Sequence, residues 1–213
     1  KQGQTGDCWL LAGIQSLAMT PQGKKVLDNA VKVDKQGNAT VTLKGVGKTY
    51  KVTARDLKCS NELSSGDSDV RALEIAMDRY FRESLPERKA DNDGNYEGKS
   101  HELLGDPDHT NTAVGSFGVQ SMIEYIQQNS MNGKAAITGM TGDVDTRGMG
   151  ATDAKTGEEV HIYNAHAYSV KDVDDKNIYL VNPHDTSKTI KLPLKSYLNK
   201  FNMIALSDVQ NLK

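Results

Sequence analysis

Cysteine is scarce in this chain. The 213 residues hold only Cys8 and Cys59, which excludes a disulfide framework for a chain of this length. One bridge could still form, but the residues around Cys8 argue that its thiol is free. Also missing is any apolar run near the roughly 18 residues that a membrane-spanning helix needs. Lys and Arg are nowhere dense enough to grip phosphates and the net charge is −2, so a nucleic-acid partner is set aside. Apolar residues make up 37% and charged residues 25%, enough to build a core and too apolar for disorder in bulk. No targeting segment can be read. The most informative motif starts at Gln2, so the natural amino terminus is expected upstream of Lys1, and the compartment is left open.

Periodicity divides the chain. Residues 7–19 carry Leu10, Leu11, Ile14, Leu17 and Ala18 at helical spacing, with Asp7 as the expected cap. Thr20-Pro21 reads as a cap and first-turn proline of a second helix ending near Ala30. Residues 38–43 and 49–53 alternate around Gly45-Val46-Gly47, the pattern of a hairpin. The spacing of Val70, Leu73, Ala76, Met77, Tyr80 and Phe81 predicts a helix over 68–83. Residues 86–116 are polar and aperiodic and read as a long loop. A helix over 118–129, a strand over 135–138 and a glycine-rich mobile connection over 139–158 follow. Strands are then expected over 160–163, 167–173, 177–181, 189–192 and 203–206, with a short helix over 194–200. Helices dominate early and strands late. The expectation is an α+β fold of two lobes, 1–116 helical and 117–213 an antiparallel sheet.

Chemistry concentrates first in Gln2-Gly3-Gln4-Thr5-Gly6-Asp7-Cys8-Trp9-Leu10-Leu11-Ala12. A cysteine in a helix is ordinarily a small buried hydrophobe. At the first turn, however, free N–H groups and the helix dipole stabilise a thiolate. Gly6 leaves room for a substrate carbonyl beside the thiol. Gln2 can set a side-chain N–H next to the backbone N–H of Cys8, and two such donors make an oxyanion hole.

With Gly two residues before the cysteine and Trp after it, this stretch resembles the papain-type signature. Gln-Gly-x-x-Gly-Asp-Cys-Trp-Leu-Leu-Ala is more similar to the calpain signature, since Asp7 stands where papains have Ser. Asn164-Ala165-His166-Ala167-Tyr168-Ser169-Val170 resembles the calpain histidine segment, with Ala165 where the family commonly has Gly. Tyr179-Leu180-Val181-Asn182-Pro183 resembles the segment of the orienting asparagine. Pro183 would hold Asn182 extended, and the Asn182 carbonyl would fix the tautomer of the histidine. Ala72-Leu73-Glu74-Ile75-Ala76-Met77 and Asn95-Tyr96-Glu97 match other calpain segments more weakly. The resemblance implies a papain-like fold with the active site between the lobes and an endopeptidase acting on proteins or peptides. It further implies Cys8 as nucleophile, His166 as base, Asn182 as its orienting partner, Gln2 as oxyanion donor and Gly6 in the substrate cleft. Lobe motion and a propeptide or other flanking segment are the expected means of control. After Asn182-Pro183 calpains continue with Trp-Gly. Here His184-Asp185 follows, which removes an indole expected to shield the catalytic hydrogen bond and weakens the case for a calcium site in the second lobe.

Asp91-Asn92-Asp93-Gly94-Asn95-Tyr96-Glu97 gathers the oxygen ligands a hard cation prefers, although it is no EF-hand loop. The resemblance puts Glu97 at a calcium-binding position, so one calcium is expected near Asp91, Asp93 and Glu97, and no organic cofactor. His101 and His109 are expected in solvent. His161 and His184 have no ligand spacing toward His166, and Cys59 carries no expected role. Two other readings compete. A transglutaminase or deubiquitinase would usually orient its histidine with Asp rather than Asn. A catalytically inactive calpain-like module would bind calcium or a protein without turnover.

Overall fold

The computed structural model describes residues 2–4, 6–84, 99–105, 110–129 and 135–208. At its centre lies α1 (Cys8–Ala18), whose residues are buried except Gln15 and Ala18. A helix apolar on nearly every side belongs inside a fold. Asp7 occupies its N-cap position, but the expected side-chain cap is not made. The main-chain carbonyl of Asp7 accepts from Leu10 and Leu11 at 3.0 and 3.1 Å, while its side chain is fully buried. In α2 (Pro21–Ala30) the capping is as expected, with Thr20 Oγ1 accepting from Gly23 N at 3.0 Å and Pro21 in the first turn.

The hairpin forms from β2 (Ala39–Leu43) and β3 (Lys48–Val52), and β1 (Val31–Val33) adds a third antiparallel strand that periodicity did not announce. Between β2 and β3, Gly45 allows the chain of α5 (Lys99–Leu104) to approach so closely that a Cβ there would overlap the Glu102 carbonyl. Before it in sequence come α3 (Ala54–Cys59), with a Thr53/Asp56 capping box, and α4 (Ser68–Ser84). Phe81 of α4 meets the edge of Trp9 with ring centroids 5.8 Å apart, a preferred aromatic geometry.

The second half is a seven-stranded antiparallel sheet. Its strands are β4 (Thr110–Ala113), β5 (Ala135–Thr141), β6 (Thr152–Asp153), β7 (Ala167–Val173), β8 (Asn177–Asn182), β9 (Asp185–Pro193) and β10 (Phe201–Asp208), in the order β4-β10-β5-β7-β8-β9-β6. Two helices, α6 (Val119–Asn129) and α7 (Leu194–Lys200), accompany it. Mixed helix and antiparallel sheet is the α+β architecture expected, consistent with a papain-like arrangement. One buried cluster joins α1, α2, α4, α5 and the small sheet to Ala136, Met140 and Ala167 of the large sheet. A second, with Met122, Ile126, Tyr168, Leu180, Tyr197 and Ile204, lies between the large sheet and helices α6 and α7.

Four expectations need correction. Residues 86–116 are not one long loop, since α5, β4 and a 3-10 turn at Val114–Ser116 lie within them. Because β4 pairs with β10, the sheet takes in residues ahead of the expected division at 116/117. The connection 139–158 contains the end of β5 and all of β6, and it buries Met149 and Ala151. Residues 160–163 form no strand: Val160 N donates to Ala151 O, and Tyr163 N to the Tyr168 hydroxyl at 2.9 Å.

Candidate active site

Cys8 is the first residue of α1 and is buried, at 7% exposure. It lies at the floor of a cleft of about 600 Å³ whose walls include Gln2, Gly6, Thr141, His166 and His184. His166 lies one residue before β7, where its N–H donates to Thr141 Oγ1 at 3.0 Å. Asn182 ends β8, across the hairpin turn at Asp174-Asp175-Lys176. Cys8, His166 and Gln2 therefore line one cavity, with Gly6 beside them. Asn182 stands behind the histidine.

The hydrogen bonds fix the histidine's tautomer. Asn182 Oδ1 lies 2.8 Å from His166 Nε2 and also accepts the backbone N–H of His184 at 2.9 Å. A backbone N–H can only donate, so the atom facing it must be the amide oxygen. That oxygen can only accept, so Nε2 carries the ring proton. In the neutral ring Nδ1 is then the basic nitrogen. Both His166 and Asn182 are 5% exposed.

The missing indole does not leave this bond open to water. His184 lies with its ring centroid 4.6 Å from that of His166 and tilted 63° to it, and Tyr168 and Tyr163 approach at 4.9 and 5.6 Å. Asn182-Pro183-His184 is thus a compact fixture. The first residue orients His166, the carbonyl of the second accepts from Gln2 N at 2.9 Å, and the third covers the imidazole. Sequence reasoning missed the roles of Tyr168 and His184. The signal was a second histidine directly after Asn-Pro.

Ala165 is the one non-glycine residue with positive φ among the described residues, at +44°. This is the left-handed region that glycine enters without cost, which gives a physical reason for Gly at this position in similar sequences. The turn aims His166 into the cleft, with Ala165 N bonded to Gly142 O at 2.9 Å.

Burial pushes the His166 imidazolium down to about 4. The Asn182 bond opposes that shift, and the charge of a protonated His184 adds to it. A thiolate at Cys8 would act in the opposite sense, because a nearby anion favours the cation. The shift has a stability consequence. With the folded value below the ordinary 6.5, the unfolded chain binds the proton more readily between the two. His166 therefore destabilises the fold as pH falls from about 6.5 to about 4. The expected loss is about 3 kcal/mol. Denaturant unfolding of Cys8→Ala protein at pH 7 and pH 4, with and without His166→Gln, isolates this contribution. Equal losses in the two proteins would mean that the imidazole is not held neutral.

Cys59 ends α3 and is exposed. His161 stacks edge-on with Tyr163, 4.8 Å between centroids. Among the described residues no group of three or more His, Cys, Asp or Glu side chains could hold a metal ion. Asp91, Asp93 and Glu97, the expected calcium ligands, lie outside the described residues, as does His109.

Compared with known families, residues 1–193 match the model of the calpain family of cysteine proteases. The chain belongs to that family. A search of curated proteins returned no match. Membership suggests a cysteine peptidase domain acting on protein substrates. No helix among the described residues is long and apolar enough to cross a membrane.

Proposed function

We propose that this calpain-family domain is an active cysteine endopeptidase, cutting proteins or peptides through Cys8, His166 and Asn182. The observation that carries this reading is the double acceptor at Asn182 Oδ1, which holds His166 with Nε2 protonated and Nδ1 basic. His166 Nδ1 takes the Cys8 proton as Sγ attacks the scissile carbonyl carbon. The carbonyl π pair moves to oxygen, which Gln2 and the Cys8 N–H stabilise. As the pair returns, the C–N bond breaks and His166 delivers its proton to the leaving amine. Water then attacks the thioester, losing a proton to His166. Cys8 leaves and is reprotonated, and the carboxylic acid product departs.

Thiol labelling tests the reading directly. An epoxide-bearing peptide inhibitor is expected to alkylate Cys8, in a mass map, far faster than it alkylates the exposed Cys59, and to stop hydrolysis of a fluorogenic peptide in parallel. A Cys8 that stays unlabelled, in a protein that cuts no peptide, would instead identify a binding module without turnover.

Calcium is a second part of the proposal. It rests on the resemblance at Asn95-Tyr96-Glu97, not on geometry. Millimolar calcium is expected to raise Tm and peptidase rate relative to chelator in wild-type protein and to do neither in Glu97→Ala. Identical wild-type values in both conditions would remove the site, and a response surviving in Glu97→Ala would move it away from that loop.

A further inference from the structure

Glu74 sits on the buried face of α4 with no exposure to solvent. A polar side chain in that position needs hydrogen-bond partners. Ser64 supplies three contacts: its backbone N lies 3.1 and 3.3 Å from the two Glu74 oxygens, and its hydroxyl donates to Oε2 at 2.5 Å. Ser64 belongs to the 60–67 segment, which has neither helix nor strand to fix it. That segment carries the strip of chain running up to Cys8. Gln4 N donates to Glu62 O at 2.8 Å, and Gly3 lies so close that a Cβ on it would overlap the Glu62 and Leu63 carbonyl oxygens. The residue before Gly3 is Gln2, tied at its other side to Pro183 O.

A cavity of about 330 Å³ opens behind the cleft, and both Gln2 and Ser64 line it, with Leu11, Ile14, Val70 and Pro183. The strip thus borders open space on that side and is held from two directions, by Pro183 O at Gln2 N and by the 60–67 segment at Gly3 and Gln4. We propose that Glu74, through Ser64, is a positioning element for the oxyanion donor Gln2: the buried carboxylate fixes the 60–67 segment, and that segment fixes the strip that presents Gln2. The inference rests on the hydrolase reading above, in which Gln2 stabilises the tetrahedral oxyanion.

The test compares Ser64→Ala and Glu74→Gln with wild type, in the native and the Gln2→Ala backgrounds, on a fluorogenic peptide amide. Alkylation of Cys8 by iodoacetamide serves as the second readout, because that displacement forms no oxyanion. Ser64→Ala is expected to lower kcat about tenfold, a displaced donor costing less than a deleted one. KM and the alkylation rate should stay at wild-type values. Glu74→Gln, which keeps one acceptor oxygen, should fall in between. In Gln2→Ala protein the same Ser64 change should cost less than twofold, since both act through one donor. Three results would overturn the proposal: wild-type kcat in both variants, an undiminished tenfold loss in the Gln2→Ala background, or an alkylation rate falling in step with kcat. Wild-type protein that hydrolyses no peptide overturns the hydrolase reading and this inference together; the three results just named overturn the inference alone.

Discussion

Hydrolysis of a peptide substrate is expected to disappear when Cys8 is replaced by alanine, and equally when His166 is. Members of such a set act as a unit, so losing either the nucleophile or its base costs nearly what losing both does, on the order of 10⁶-fold in kcat in comparable hydrolases. The fold should survive each change. Cys8→Ala removes one sulfur from a wall of the cleft, a loss of about 1 kcal/mol. With His166 gone, Asn182 Oδ1 keeps the His184 N–H as a partner, so no buried acceptor is orphaned. Turnover measured beside circular dichroism separates the two effects, and a Cys8→Ala protein with wild-type turnover would sink the assignment of the cleft.

The second large effect belongs to Gln2. Its side chain lines the same cavity as Cys8, while its backbone N–H is held by Pro183 O at 2.9 Å. Gln2→Ala therefore deletes the side-chain amide and leaves the strip anchored. A donor aimed at developing negative charge acts mainly in the transition state. The loss should appear in kcat, on the order of 10²–10³-fold, with KM little changed. A Gln2→Ala protein whose KM rises while kcat holds would mean that the amide binds ground-state substrate instead.

How legible all this was in the sequence varied with how local the information is. Cys8, His166 and Asn182 each sit among neighbours that set their backbone: a helix start after Gly6-Asp7, a strand with Tyr168 and Ser169 buried behind it, and an Asn-Pro at a strand end. Residues 167–173 and 194–200 were read to the residue for the same reason. β4 and β6 were not, because strands of four and two residues carry too little alternation and exist by pairing with β10 and β9. Residues 160–163 do alternate, but their main-chain groups are claimed by a loop carbonyl and a tyrosine hydroxyl. Glu74 was visible in principle. It falls on the stripe Val70, Leu73, Met77, Phe81, and an acid inside an apolar helical stripe asks what pairs with it. The answer, Ser64, lies ten residues upstream in a segment with no pattern of its own.

The nucleophile's helix takes part of its cover from the other half of the chain. Ala136, Met140 and Ala167 of the sheet share its buried cluster, and the Ser169 hydroxyl donates to Ala12 O at 2.8 Å and reaches Gln15 Oε1 at 3.1 Å. A peptide ending before β4 would therefore expose one flank of α1, and a peptide beginning at β4 would present the matching surface bare. The two halves cannot be exchanged piecemeal with those of a distant relative, as separable modules can. A recombinant between family members is expected to fold best where α1, β5 and β7 come from the same parent, which couples inheritance of the cleft to inheritance of a packing surface on its far side.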